Sequence, residues 1–95
     1  MKILTIEDEL TIFTAAKQKS ALLAFLNADK NLEINLSKIE EMDTAGLQLL
    51  ILIKREAAQL GKSLSFTMHS KVVLEILELT NLMTAFGDQV VLSEH

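Results

Sequence analysis

The sequence contains no cysteine, proline, tryptophan or tyrosine, and it has only three glycines. Without cysteine the chain forms no disulfide and offers no thiol nucleophile, and its two histidines are too few for a histidine-rich metal site. No glycine-rich phosphate loop, dinucleotide-binding fingerprint, nucleophile elbow or HExxH helix can be found. We therefore predict no metal, no cofactor, and neither nucleotide binding nor common hydrolase chemistry.

Basic residues and long apolar runs are also scarce. Nine lysines and arginines stand against 13 acids, and the resulting net charge of −4 argues against a nucleic-acid partner, because phosphate binding needs a basic patch. No apolar stretch reaches the roughly 18 residues that suggest a membrane span, and acids occupy the N-terminal region where a secretory signal would be apolar. We predict one domain over residues 1–95, cytoplasmic and without direct membrane insertion.

Hydrophobic patterning alternates between the periods of strands and helices. It predicts helices over about 15–27, 44–60 and 71–80, strands over 32–37, 63–68 and 89–92, and a short helical turn over 82–86. Thr14 and Ser70 are the expected N-caps of the first and third helices, and Gly61 is the expected left-handed residue after the second. At the N-terminus two apolar runs, 3–6 and 10–13, flank the acids of 7–9, and this pattern by itself favours a hairpin. Strands that alternate with helices pair mostly in parallel through right-handed crossovers. We predict an α/β domain whose mostly parallel sheet has about four strands in sequential order, with helices packed mainly on one face.

Few residues are candidates for catalysis. Acidic pairs such as Glu40 and Glu41, or Glu41 and Asp43, have the composition of a general acid and base, but neighbouring loop acids are usually solvated. His69 precedes a predicted helix, where it is expected to be exposed or bonded to local backbone. We therefore predict no catalytic residue.

The stretch Asp43-Thr44-Ala45-Gly46 places a hydroxyl at the start of the predicted central helix. Free backbone amides and the helix dipole favour added negative charge at this position, so the domain would tolerate a phosphate on Thr44. The phosphate would bring about −1.5 to −2 charges next to several acids and so change the surface that a partner meets. The alternative is that Asp43 or Thr44 only caps the helix and Gly46 only permits close packing.

The helix that follows is unusually apolar, since Gln48 is the single polar residue of 47–53. If the face of Leu49, Leu50 and Ile53 packs on the sheet, the other apolar side chains of this stretch cannot all be buried with it. Surplus apolar surface beside a modifiable hydroxyl is typical of a docking face that phosphorylation can disable. The predicted partner-binding residues are Asp43, Thr44, Gly46, Leu47, Ile51 and Leu52.

These residues resemble the STAS domain of anti-sigma factor antagonists over most of the chain. Leu36-Ser37 matches the strand end of the family's pattern, with Asn35 in place of the usual acid, and the DTAGL sequence of 43–47 matches its D-[ST]-x-G-L helix start. The resemblance implies a fold of parallel strands and helices, no enzyme activity, and bacterial transcription regulation by partner switching. It also implies phosphorylation of Thr44 by a serine/threonine kinase that binds a sigma factor, and reversal by a phosphatase.

Two departures from the family pattern leave alternatives open. Glu9-Leu10 is similar to a turn that follows the family's second strand, so 1–6 would be that strand and the customary first strand would be missing. We prefer this interpretation to the hairpin, and it predicts an exposed sheet edge through which a homodimer could form. In addition, threonine replaces the serine of many antagonists and also occurs in STAS subunits of lipid-transport ABC complexes. A constitutive accessory subunit of such a complex, or a module of a chemotaxis-like two-component system, is the alternative function.

Overall fold

Strands and helices alternate along the chain in the computed structural model, which describes residues 1–67 and 69–80. The elements are β1 (Lys2–Leu10), α1 (Ala15–Phe25), β2 (Asn31–Met42), α2 (Thr44–Gln59), β3 (Ser63–Thr67) and α3 (Lys71–Thr80). Within the described part, three strands form one sheet in the order β1-β2-β3, and both neighbouring pairs are parallel. The predicted α/β class, parallel pairing and sequential order are confirmed. The predicted helical turn over 82–86 and strand over 89–92 lie outside the described residues.

One face of the sheet carries the core. Along β2 the side chains of Leu32, Ile34 and Leu36 are buried, whereas the alternating polar residues between them are half-buried. All three helices contribute to the same core, which includes Leu22 of α1, Leu50 of α2 and Leu77 of α3. Burial of each such leucine stabilises the fold by about 1.5–3 kcal/mol. The helices therefore pack on the apolar face, as the strand alternation predicts.

The two long strands extend further than their sequences predict. The acids of 7–9 were expected to end the first strand and 38–42 to form a loop, yet β1 continues to Leu10 and β2 continues to Met42. In this half the inward side chains are apolar and buried, namely Ile6 and Leu10 in β1 and Ile39 in β2. Their burial stabilises the strands more than the acids on the outer side destabilise them. The predicted boundaries are therefore wrong, because pairing between distant strands overrides local polarity.

Irregular pairing makes this extension possible. The register shifts between Thr5 and Glu7 and again between Asp8 and Glu9, so that β2 accommodates extra residues relative to β1. Asp8 takes the left-handed conformation, with φ of 63°, which aspartate tolerates better than most residues. The Asn35 side chain accepts a hydrogen bond from the Ser37 amide at 2.9 Å, next to the first shift.

The N-terminal hairpin that the pattern alone favoured is not formed. The second apolar run does not form a strand of its own, because Leu10 ends β1 and the residues after it turn into α1. Thr14 precedes α1, but its hydroxyl makes no capping bond and instead donates to the carbonyl oxygens of Glu9 and Thr11. At the other helices the local signals hold: Gly61 after α2 has a φ of 71°, and the Ser70 hydroxyl accepts from the Val73 amide at the start of α3.

Candidate functional site

Asp43 joins the start of α2 to the turn that follows β1. Its backbone is extended, as is usual for an N-cap residue, and its Oδ1 accepts a hydrogen bond from the Gly46 amide at 3.0 Å. Its Oδ2 accepts a second bond from the amide of Ile12, 31 residues away, at 2.9 Å. The bond from Ile12, followed by that from Gly46, lowers the pKa of Asp43 below its ordinary value. The carboxylate is therefore ionised at neutral pH, with both oxygens engaged.

Thr44 is the first residue of α2, and its side chain is exposed. Asp43 provides the cap, so the helix does not require the Thr44 hydroxyl. Among residues 1–67 and 69–80 that hydroxyl has no hydrogen-bond partner. The first amides of a helix lack intrahelical partners and lie close to this position. The hydroxyl is thus both accessible and unused at a site where negative charge is favoured.

Gly46 allows the end of β1 to lie directly on α2. A Cβ atom built on this buried glycine would overlap the carbonyl oxygen of Leu10 and lie 2.8 Å from its carbonyl carbon. Real Cβ atoms essentially never approach closer than 3.0 Å, so no side chain fits here. Gly46 therefore has the close-packing role that its position predicted, and it holds the turn after β1 next to Thr44.

The predicted apolar landing surface on α2 is largely absent. Leu47 is fully buried and Ile51 is 9% exposed, while Leu52 is half-buried. Surplus apolar surface would remain if α2 packed on the sheet alone, but α2 also contacts α1 and α3. Neighbours on several sides bury a wider arc of the helix than one sheet face does. The prediction of surplus exposed side chains is therefore wrong for Leu47 and Ile51, which support the site from the interior.

An apolar surface does lie beside Thr44, but in the turn between β1 and α1. This apolar turn (residues 11–14) exposes 67% of Ile12 and 91% of Phe13. Hydrogen bonds brace it: the Thr14 amide donates to the Thr11 carbonyl at 3.0 Å, and the Thr11 amide donates to the Thr14 hydroxyl at 3.1 Å. Sequence reasoning missed it because the run 10–13 has the composition of a strand. The available signal was the pair of threonines that flank Ile12 and Phe13, since threonine hydroxyls favour local turns.

Acidic residues surround this part of the surface. The segments 3–17 and 38–53 together contain six acids, Glu7, Asp8, Glu9, Glu40, Glu41 and Asp43, and two lysines, Lys17 and Lys38, the second of which lies opposite Glu7. Parallel pairing places Glu9 opposite Glu41 at the carboxyl ends of β1 and β2. The Glu9 carboxylate also accepts a hydrogen bond from the Thr11 hydroxyl, which links the acids to the apolar turn. Negative charge therefore concentrates at the sheet end that leads into Thr44.

The other candidates from the sequence contribute no recognisable site. His69 is buried, at 1% exposure, and belongs to the interior rather than to an accessible cleft. In the part of the chain that the structure describes, no three histidine, cysteine or acidic side chains come together as a metal site. None of the described helices is long and apolar enough to cross a membrane.

Comparisons with known proteins agree on the fold. A family model described as "Mlab, STAS domain" matches residues 2–92. A protein described as an anti-sigma factor antagonist from Thermotoga maritima is 25% identical, with 98% of this chain and 78% of the other aligned at a TM-score of 0.75. The anti-sigma factor antagonist SpoIIAA in its unphosphorylated form is 17% identical over 84% of this chain and 71% of its own, with a TM-score of 0.66.

A third solved structure is a sulfate transporter family protein from Wolinella succinogenes. It is 15% identical over 98% of this chain and 77% of its own, with a TM-score of 0.74. No curated protein matches this chain by sequence. Likeness at such low identity shows the fold alone, because one fold serves several functions. The family model, however, covers all six described elements and the DTAGL helix start, so the chain belongs to the STAS domain family and resembles the domains of anti-sigma factor antagonists.

Proposed function

We propose that this STAS domain is a non-enzymatic signalling module that binds a protein through the start of α2 and is switched by phosphorylation of Thr44. The partner is a serine/threonine kinase or an anti-sigma factor, and a phosphatase restores the binding form. The observation that carries the proposal is the exposed Thr44 hydroxyl at a helix start that Asp43 already caps. A hydroxyl that the fold does not use is free to serve as a modification site.

Phosphorylation would act on the surface rather than on the fold. The free amides and the dipole at the start of α2 favour a phosphate on Thr44, so the domain keeps its stability. The phosphate adds about −1.5 to −2 charges to a region that already carries Glu40, Glu41 and Asp43. A partner that fits the unmodified surface would then meet repulsion or steric exclusion. The contact surface in this proposal comprises Thr44, Asp43 and the half-buried Leu52, with the buried Gly46, Leu47 and Ile51 behind it.

Calorimetric titration with a purified kinase-type anti-sigma factor tests the switch. Thr44→Ala should bind as the unmodified protein does, and Thr44→Glu should bind at least about tenfold more weakly, which corresponds to about 1.4 kcal/mol. Ser20→Glu is a matched control, because Ser20 is an exposed hydroxyl residue on α1 and its replacement adds the same charge. Equal binding of Thr44→Ala and Thr44→Glu would contradict the switch.

A second candidate is a constitutive accessory subunit, either of an ABC-type lipid transport complex or of a chemotaxis-like two-component system. The threonine in the switch position favours it, because threonine also occurs there in STAS subunits of lipid-transport ABC complexes. In this case Thr44 would contact the partner permanently. Co-purification with an ATPase and a permease, with an unmodified Thr44 by intact-mass spectrometry in every growth condition, would support the subunit over the switch.

The proposal also includes a cytoplasmic location, transcription regulation in a bacterium, and one domain over residues 1–95. Within residues 1–67 and 69–80, β1 pairs with β2 alone, and Ile3 is 59% exposed. An unpaired edge can accept a strand from a second copy, so a homodimer through β1 belongs to the proposal. Light scattering of Thr5→Pro should give a smaller particle mass than that of the unmodified chain, and equal masses would contradict a dimer through this edge.

A further inference from the structure

The apolar turn is a preformed anchor rather than a loose loop. Its two central side chains, Ile12 and Phe13, are exposed by 67% and 91%, and four hydrogen bonds of its backbone and threonine hydroxyls hold its shape. Thr11, at its base, is buried at 6% exposure and bonded to Glu9. Rigid aromatic and aliphatic anchors lose little conformational entropy on binding, which is why such residues dominate the energetics of interfaces.

The anchor is fixed to the same structural unit as Thr44. The Ile12 amide donates to Asp43, the residue that precedes Thr44, at 2.9 Å. Leu10, just before the turn, lies against Gly46 so closely that no side chain fits between them. The turn that carries Ile12 and Phe13 is therefore attached to the start of α2 by its backbone.

The charges around the anchor restrict what can bind it. The segments that form this end of the sheet, 3–17 and 38–53, contain six acids against two lysines. A second copy docked through the same surface would bring these acids against one another, and nucleic acid would add phosphates to them. Both of these occupants are disfavoured by charge alone, whereas a surface with lysine or arginine around an apolar recess is complementary.

From these observations we propose that Ile12 and Phe13 are the apolar anchor of the partner-docking surface, and that the protein partner presents an apolar recess bordered by lysine or arginine. The position of the anchor beside Thr44 links it to the proposed function, on which it rests for the identity of the docking face. The acids supply attraction and orientation, and the two side chains supply most of the desolvated contact.

A pair of designed peptides tests this chemistry on the full chain. Both are amphipathic helices whose leucine face is interrupted by alanine to leave a recess, one with lysine and the other with glutamate on the polar face. In amide correlation spectra the lysine peptide should shift the signals of residues 11–14 and 40–46, and the glutamate peptide should leave them unchanged. Shifts confined to other parts of the chain would overturn the proposal.

Substitutions distinguish the contribution of the apolar anchor to binding from that of general charge attraction. Phe13→Ser leaves the net charge of −4 unchanged, so a loss of affinity reports the apolar contact alone. We expect it to weaken binding of the lysine peptide by about tenfold or more. Leu60→Ser is the matched control, because Leu60 is 55% exposed at the opposite end of α2 and should change the affinity less than about twofold. Equal affinity of Phe13→Ser and the unmodified protein would overturn the anchor.

The same variants distinguish the anchor from the switch. Titrated with the kinase-type anti-sigma factor, Phe13→Ser should bind more weakly although Thr44 is intact. If it does so while Thr44→Glu binds normally, the anchor stands and the phosphorylation switch fails. If Thr44→Glu binds weakly while Phe13→Ser binds normally, the switch stands and the anchor fails.

Discussion

Replacement of Gly46 by alanine tests the close contact between β1 and α2 that organises the site. The added Cβ would overlap the Leu10 carbonyl oxygen, with the Leu10 carbonyl carbon at 2.8 Å and its Cγ at 3.0 Å. The obstacle is mainly backbone, so no side-chain rotation can relieve it. Leu10 is itself fully buried and is paired with Met42 in the sheet, which prevents an easy withdrawal of the strand end.

The expected change in the free energy of unfolding is the sum of one stabilising and two destabilising contributions. Alanine favours the helix over glycine by about 1 kcal/mol. Overpacking of a tight contact costs about 1–3 kcal/mol, and the upper value applies because buried backbone must move. Displacement of the turn also weakens the bond between the Ile12 amide and Asp43, which costs about another 1 kcal/mol. We therefore expect Gly46→Ala to lower the free energy of unfolding by about 3 kcal/mol, a large part of the 5–15 kcal/mol of a typical domain.

Urea unfolding followed by circular dichroism measures this loss, with Gly61→Ala as the matched control. A Cβ added at Gly61 would meet no atom within 4 Å, but the φ of 71° at this residue is costly for any L side chain. Alanine there should lower the free energy of unfolding by about 1–2 kcal/mol through backbone strain alone. A Gly46→Ala protein as stable as the unmodified one would refute the reasoning, because the end of β1 would then separate from α2 at no cost.

Three further predictions concern the same region. Asp43→Ala should lower the free energy of unfolding by about 1–2 kcal/mol in urea titrations, because it removes both accepting carboxylate oxygens. Asp43→Asn should lower it by less, because the amide oxygen still accepts one of the two bonds. The folded-state pKa of Asp43 is lowered, so its contribution is complete above its unfolded pKa of about 3.9 and is lost as the pH falls through the folded value. The stability difference between Asp43→Ala and the unmodified protein should therefore be largest near neutral pH and shrink below about pH 4; a constant difference would contradict this. Leu47→Ala should cost about 2–5 kcal/mol, whereas an exposed leucine would change stability by no more than about 0.5 kcal/mol.

Local signals predicted the framework of the site correctly. The alternation along 32–37, the glycine after α2 and the Asp-Thr pair at its start depend on contacts within a few residues. The structure confirms the strand, the left-handed Gly61 and a cap at the start of α2, and it assigns that cap to Asp43 rather than to Thr44. Such features can be predicted from the sequence because each is stabilised by neighbours in the chain.

The misjudged features depend on residues far apart in sequence. The acids of 7–9 were expected to end a strand, yet the parallel partner β2 extends the pairing to Leu10. Leu47 and Ile51 were expected to remain partly exposed, yet both are buried in a helix that contacts α1 and α3 as well as the sheet. No periodicity within α2 reveals how many elements surround that helix, because a hydrophobic side chain is equally compatible with a core and with a binding surface.

The sequence by itself determined the family, the parallel α/β order and an Asp-Thr pair at the start of the central helix, since these follow from short motifs and local periodicity. Only the tertiary structure decided where the apolar surface beside Thr44 lies. The hydrogen bond from the Ile12 amide to Asp43 and the contact of Leu10 with Gly46 bring together segments more than 30 residues apart. In the folded domain the apolar side chains of α2 are mostly buried, and the exposed apolar side chains near Thr44 are those of the turn after β1. Packing against distant elements determines which hydrophobic side chains are buried and which remain exposed.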